Sequence, residues 1–296
     1  MNLHSILRTE VVAAALLTLL PVLYAAFFPQ RFAALALALP PTARFAGPAL
    51  LCLPYALVAS SFGIFHWGWL ALYALLPVAI ALLMSQARAA DPDLRGNWRD
   101  FLLLAALGLA VDLRWFEPAW PQGLAALGKM LLVNAGLYGF LAVRQLDGVG
   151  FDLRLKLRDV GIGLREFSVY APIAIALGLS LGFLHLHAGW PSPLRAVGAY
   201  LFTFLFIALP EELFFRGWMQ NLLERRLGPS AALLVTAVLF GLAHWNKQTV
   251  NFNWRYVLLA ALAGIFYGRA WRAQRRVGAS AITHATVDTV WSLWLR

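Results

Sequence analysis

Charge is what this sequence has least of. Of its 296 residues only 13% are Asp, Glu, Lys or Arg, against 61% hydrophobic ones, where a water-soluble domain carries about a quarter charged residues. The shortage falls hardest on the acids, with 14 carboxylates against 24 Lys and Arg and a formal charge of +10. Cysteine is down to one, Cys52 within an apolar run, which excludes an internal disulfide and any zinc site built on cysteines. No HExxH occurs, so the paired-histidine helix face of the zinc peptidases that use it is missing. There is also no fixed-period repeat and no low-complexity tract beyond a general richness in Ala and Leu.

What fills the chain instead is a series of apolar runs, with a mean hydropathy of +0.71. Many are near 18 residues or longer, enough to cross a bilayer core of about 30 Å. Candidate spans fall at about 11–28, 45–64, 67–84, 101–116, 122–143, 168–187, 195–220, 230–245, 254–271 and 279–295. The short segment at 101–116 holds Asp112 and Arg114 and reads as interfacial or re-entrant. The expected fold is therefore all-α, a multi-pass transmembrane helical bundle of about eight to ten spans. The N-terminus has the basic start and apolar stretch of a signal peptide, but its apolar stretch is long and further spans follow. An uncleaved first transmembrane helix is the expectation.

The excess of arginine does not indicate nucleic acid, because most arginines lie in short loops between spans, as Lys and Arg do in cytoplasmic loops. The two most basic loops, "LERRLG" (223–228) and "GRAWRAQRRVG" (268–278), are separated by two spans and so belong on one side, which the charge bias assigns to the cytoplasm. Two polar loops, 84–100 and 144–167, divide the chain. The second alternates apolar and charged residues over 151–158, a pattern of a strand-like or interfacial segment. It sets a boundary between an N-terminal region, 1–145, and a C-terminal core, 146–296.

Against this apolar background "ALPEELFFRGW" (208–218) is anomalous. An ionisable group at the centre of a membrane helix costs about 2.5–3.5 kcal/mol and usually faces a cavity or a partner. Glu212 and Arg216 stand at i and i+4 with the acid first, the favourable order for a helix pair. Glu211 points about 100° away, where it can serve chemistry while Arg216 holds its neighbour. Pro210 removes a helix hydrogen bond and opens the turn before them. Two further polar clusters follow in successive spans: His244 in "LFGLAHW", then His284 and Asp288, again i and i+4, in "AITHATVDTVW". Counting from the helix connections puts Glu211, His244 and His284 at similar depth.

These three motifs in this order, Glu211-Glu212-x-x-x-Arg216, Phe240-x-x-x-His244 and His284-x-x-x-Asp288, resemble the CAAX-protease and bacteriocin-processing (Abi) family of glutamate-dependent intramembrane endopeptidases. The resemblance covers roughly 195–295, with 151–194 a looser extension. It implies that Glu211 is the general base that activates water, that His244 orients that water or acts beside the glutamate, and that Glu212 and Arg216 support Glu211. It implies further that His284 and the residue at 288 stabilise the oxyanion. The branch that processes prenylated proteins has Asn at the last position, where this chain has Asp288. An ionised Asp only accepts hydrogen bonds; it can orient His284 and favour its charged form, or burial can keep it protonated. Either way Asp288 argues against a prenylated substrate.

The expected partners are the lipid bilayer and a membrane-anchored protein or apolar peptide, with no nucleic acid; the expected location is a membrane, a bacterial inner membrane being the natural setting. Maturation of a peptide or removal of a C-terminal sorting signal would suit such an enzyme. Two histidines and a glutamate also make a His₂Glu zinc set, here from three separate helices, but no metal or other cofactor is expected. The alternatives are a zinc-dependent membrane protease, a non-catalytic scaffold or immunity protein, and a transporter with a proton relay, the last disfavoured because paired repeats are missing. His185, His187, Lys129 and Asn134 are read as interfacial or packing residues. "NKQTVNFNWR" after His244 is a candidate substrate entrance.

Overall fold

The computed structural model describes residues 8–187, 189–247 and 251–295, which form eleven helices and no strand. Contacts divide the chain into two compact units, Met1–Asp147 and Gly148–Arg296. Six helices are long and apolar enough to cross a membrane. Many large apolar side chains are turned outward, among them Leu20, Leu35, Leu75 and Leu234, a surface that water would not tolerate and lipid does. This is an integral, all-α, multi-pass membrane protein.

The first unit holds α1 (Thr9–Phe27), α2 (Pro29–Ala38), α3 (Pro41–Ser61), α4 (Trp67–Ala90), α5 (Trp98–Asp112) and α6 (Ala125–Val143). Its core gathers Tyr55, Tyr73, Trp120, Leu127 and Leu131, with the Trp120 indole N–H donating to Tyr73 Oη at 2.6 Å. Buried polar groups are tied off. Asn134 donates to the carbonyls of Thr18 and Met130, which joins α6 to α1; at the surface the exposed Lys129 pairs with Glu117 at 3.5 Å. At the end of α6 the fully buried Arg144 reaches Asp100 at 2.8 Å and Asp91 at 2.5 Å. Asp100 in turn accepts from the backbone N–H of Asn97, forming the capping box that starts α5.

The second unit holds α7 (Leu157–Ser180), α8 (Pro193–Leu227), α9 (Pro229–Leu242), α10 (Trp254–Gln274) and α11 (Val277–Val290), the last running on through a π turn at Trp291–Leu295. At 35 residues α8 is about 52 Å long. Gly228, at φ +77°, reverses the chain, and Pro229 opens α9. Close approach of α9 and α10 depends on small residues: a Cβ on Gly241 would sit 2.5 Å from the Val257 carbonyl, and one on Gly264 2.9 Å from Ala237. Helix α7 lies against α11, where Thr283 Oγ1 donates to the Gly163 carbonyl.

All ten expected spans contain a helix; six of these helices are long and apolar enough to cross a membrane, and α5, α9, α10 and α11 are not among the six. Two expectations change. The alternating stretch at 151–156 is irregular and pairs with no strand; it packs against the junction of α10 and α11, where the Val277 N–H donates to the Gly150 carbonyl and Arg276 binds Asp152 and Asp159. The span expected at 168–187 starts at Leu157 and ends at Ser180, because Asp159 caps its first turn by accepting from the Lys156 N–H, well upstream of the apolar run. The two basic stretches do meet, with Arg272 on α10 and Arg275 just past its end reaching Glu224 on α8 at 3.4 and 2.6 Å.

Candidate active site

The anomalous acids lie where α8 is irregular. A π turn at Phe204–Ala208 precedes Leu209–Glu212 and another follows at Leu213–Gln220. A proline without an N–H at 210 is one reason the regular ladder does not run through, and π turns of this kind often mark functional positions in helices.

Glu212 and Arg216 pair at 3.0 Å, both fully buried, and Arg216 also donates to the Gly264 carbonyl on α10 at 3.0 Å. The guanidinium lies over the Phe240 ring, 4.6 Å from its centroid, and near that of Tyr267 at 5.3 Å. Glu212 does more than hold an arginine. Its Oε1 lies 2.8 Å from Nδ1 of His284, and its Oε2 accepts from the Ser280 hydroxyl. An ionised carboxylate only accepts, so Nδ1 of His284 carries the proton it donates. That fixes the ring and turns Nε2 the other way, toward Asp288 Oδ2 at 3.4 Å and Glu211 Oε2 at 4.0 Å. Glu211 and Asp288 keep 30% of their side-chain surface exposed, whereas His284 keeps 3%. The imidazole thus links a buried ion pair on one side to two accessible carboxylates on the other.

His244 lies two residues past the end of α9, in the turn that follows it, and its Nδ1 is 2.8 Å from the Phe240 carbonyl of its own chain segment. A carbonyl accepts, so Nδ1 donates, and Nε2 of the neutral ring is the acceptor. Both histidines touch Phe240, His244 at a ring separation of 4.9 Å and His284 edge-on at 5.6 Å. Both line one apolar cleft together with Asp288, Tyr170, Tyr256 and Tyr267. Glu211 is not among the residues lining it and approaches His284 from α8.

The structure therefore brings Glu211, Glu212, Arg216, His284 and Asp288 into one contact network and sets His244 across Phe240 from it. His185 and His187 are exposed, with backbone N–H groups donating to Leu295 and Trp294. In the candidate entrance, Asn253 caps α10 by accepting from the Tyr256 N–H, while residues 248–250 lie outside the described residues. Two participants escaped the sequence reading. Ser280 stands four residues before His284, on the stripe that continues to Asp288, a periodicity that was there to be read. Tyr267 stacks on His284 at 4.6 Å and 17°, a contact across helices with no signal in the sequence. No group of three or more His, Cys, Asp or Glu that could hold a metal ion occurs among the described residues.

Residues 193–290 match the family model described as Rce1-like, type II CAAX prenyl endopeptidase. The matched stretch runs from the start of α8 to the end of α11, contains every residue of the network, and agrees with the resemblance to the CAAX-protease and bacteriocin-processing family. No curated protein and no solved structure matches the chain.

Proposed function

We propose that this protein is a glutamate-type intramembrane endopeptidase that hydrolyses a peptide bond in a membrane-anchored or strongly apolar protein or peptide. The observation that carries the reading is the double engagement of His284, Nδ1 on the Glu212–Arg216 pair and Nε2 between Glu211 and Asp288. The match to a family described as an endopeptidase supports it. Substrate chemistry is kept to the peptide bond: Asp288 cannot donate to an oxyanion while ionised, so a prenylated substrate is not part of the proposal.

In this reading Glu211 accepts a proton as a water oxygen attacks the scissile carbonyl carbon, and the carbonyl electron pair moves onto oxygen. Collapse of that oxyanion breaks the C–N bond, and the proton held by Glu211 passes to the leaving amine, so that water has added across the bond. Glu212, clamped by Arg216, keeps His284 oriented, as the carboxylate of a catalytic triad orients its histidine. With carboxylates facing both nitrogens, His284 is the doubly protonated imidazolium in this reading; its Nε2–H stabilises developing charge on the Glu211 side, Asp288 orients it, and His244, with Nε2 as acceptor, helps place the water. No metal ion takes part. The basic face at Arg225, Arg226, Arg272 and Arg275 is cytoplasmic, and a bacterial inner membrane is the setting proposed.

The test compares cells making the wild type with cells making Glu211→Gln at equal abundance, by mapping new peptide termini in membrane and secreted fractions. Termini that depend on Glu211 establish proteolysis and name the substrate. Identical maps with both proteins folded would sink the reading in favour of a scaffold.

A further inference from the structure

Asp288 leaves a gap in the proposed chemistry. An oxyanion needs donors fixed in advance where the charge will develop, and these are among the largest contributors to catalysis of acyl transfer. Asp288, ionised, offers none, and His284 Nε2 already faces two carboxylates.

Tyr267 on α10 has what is missing. Its residue surface is 1% exposed, yet it lines the cleft with His284 and Asp288. Its ring is nearly parallel to the His284 imidazole, at 4.6 Å and 17°, while the Arg216 guanidinium lies 5.3 Å from its centroid. Two contacts therefore fix the ring. The hydroxyl is a different matter. The neighbouring Tyr170 donates its own to the Leu259 carbonyl at 3.0 Å, but among the described residues nothing hydrogen-bonds the Tyr267 hydroxyl. Packing does not require it, since phenylalanine would stack on His284 equally well, and the hydroxyl is not one of the fully enclosed polar atoms left without a partner but belongs to a residue that lines the cleft. An oriented donor on the wall of the cleft, beside the proposed catalytic histidine, suits a ligand atom that carries negative charge.

We infer that the Tyr267 hydroxyl is a catalytic hydrogen-bond donor that, with His284, stabilises the oxyanion of the tetrahedral intermediate in the cleft. The inference rests on the peptidase reading above. In the reaction the hydroxyl keeps its proton and donates to the oxygen that receives the carbonyl electron pair; when the C–N bond breaks and the carbonyl re-forms, the hydrogen bond weakens.

The experiment uses the full-length protein in lipid vesicles with the peptide that the terminus map identifies, and compares wild type, Glu211→Gln and Tyr267→Phe. For Tyr267→Phe the expected result is an unchanged unfolding temperature and KM, with kcat lower by about 10²-fold, the effect of removing one oxyanion donor. A phosphinate analogue of the same peptide, whose tetrahedral anionic centre mimics the intermediate, should bind Tyr267→Phe more weakly by a similar factor, while the parent peptide binds both alike. An inactive Glu211→Gln beside a fully active Tyr267→Phe overturns the inference and leaves the peptidase reading standing. A fully active Glu211→Gln overturns both. Should Tyr267→Phe prove unstable, the phosphinate-to-peptide affinity ratio decides, because loss of packing weakens both ligands and loss of a donor weakens only one.

Discussion

Glu212 Oε1 stands 2.8 Å from His284 Nδ1 and 3.0 Å from Arg216 Nη1, so one buried oxygen holds the arginine of its own helix and the histidine of another. Its neighbour Glu211 contributes to the same network from the accessible side of His284. Adjacent glutamates thus have unlike surroundings, and these predict unlike mutants.

Glu212→Gln leaves Arg216 buried beside a neutral amide. Removing one member of a buried ion pair typically costs about 3–5 kcal/mol, so this variant should unfold well below the wild type or fail to accumulate. Glu211→Gln, at a partly exposed position, should keep the unfolding temperature within a degree or two while peptide hydrolysis falls by about 10²–10⁴-fold, the usual contribution of a general base. Thermal unfolding in detergent with parallel activity assays checks the contrast; equal stability losses in the two variants would refute the division of roles.

Ser280→Ala removes the hydroxyl that donates to Glu212 Oε2. A hydrogen bond to a charged group is worth about 1.5–3 kcal/mol, and the carboxylate oxygen left behind is fully buried. Stability should fall by that amount. An alanine variant as stable as the parent would show that the bond contributes nothing.

Gly150 sits at φ +71°, and a Cβ there would lie 1.8 Å from the Arg275 carbonyl. Gly150→Ala therefore meets both a backbone penalty and a clash, each of about 1–3 kcal/mol, and should destabilise the junction of α10 and α11. Gly161→Ala, where a Cβ meets nothing within 4 Å, is the control and should be neutral or slightly stabilising in its helix. Unfolding midpoints of the two variants check this, and equal midpoints would remove the argument.

Asp152 lies outside the membrane spans. A hydrogen bond from the Arg154 side chain is the main cause that lowers its pKa to about 2, with the Arg154 backbone N–H and Arg276 adding to it against burial. A carboxyl lowered in the folded state adds stability that is present above its unfolded value, 3.8, and lost as the pH falls toward 2. The difference in unfolding temperature between wild type and Asp152→Asn should be constant from about pH 7 to 5 and shrink below about pH 4. A difference that stays flat into acid would mean that Asp152 acts by packing alone.

A glutamate mechanism makes hydrolysis independent of metal. Treating the protein with a strong chelator such as 1,10-phenanthroline should leave peptide cleavage unchanged. Loss of activity restored by added zinc would instead favour the His₂Glu alternative.

Some of this was legible before folding. The apolar runs disclosed an all-α membrane bundle, since a helix that satisfies its own backbone is one of the two structures a bilayer admits. The i, i+4 pairing of Glu212 with Arg216 was readable because helix geometry is local, and His284 with Asp288 likewise. The extent of α7 was not, because its N-terminus is set by Asp159, whose side chain caps Lys156 and also meets Arg276 from across the unit. Hydropathy saw the lipid-facing part of that helix and missed the part held by charge.

The sequence by itself determined the chemical inventory: few charges, three polar motifs in successive C-terminal apolar segments, and the spacing that puts the members of each motif on one helix face. Only the tertiary structure decided which groups meet. Glu212 was expected to support Glu211, and its contacts run to His284, Ser280 and Arg216; Tyr267 and Gly264 entered from α10 unannounced. The reason is that spacing along a helix fixes azimuth and rise within that helix alone. Contacts between helices depend on how closely they approach and how they are rotated, which here is set by glycines such as Gly241 and Gly264 packed against their neighbours.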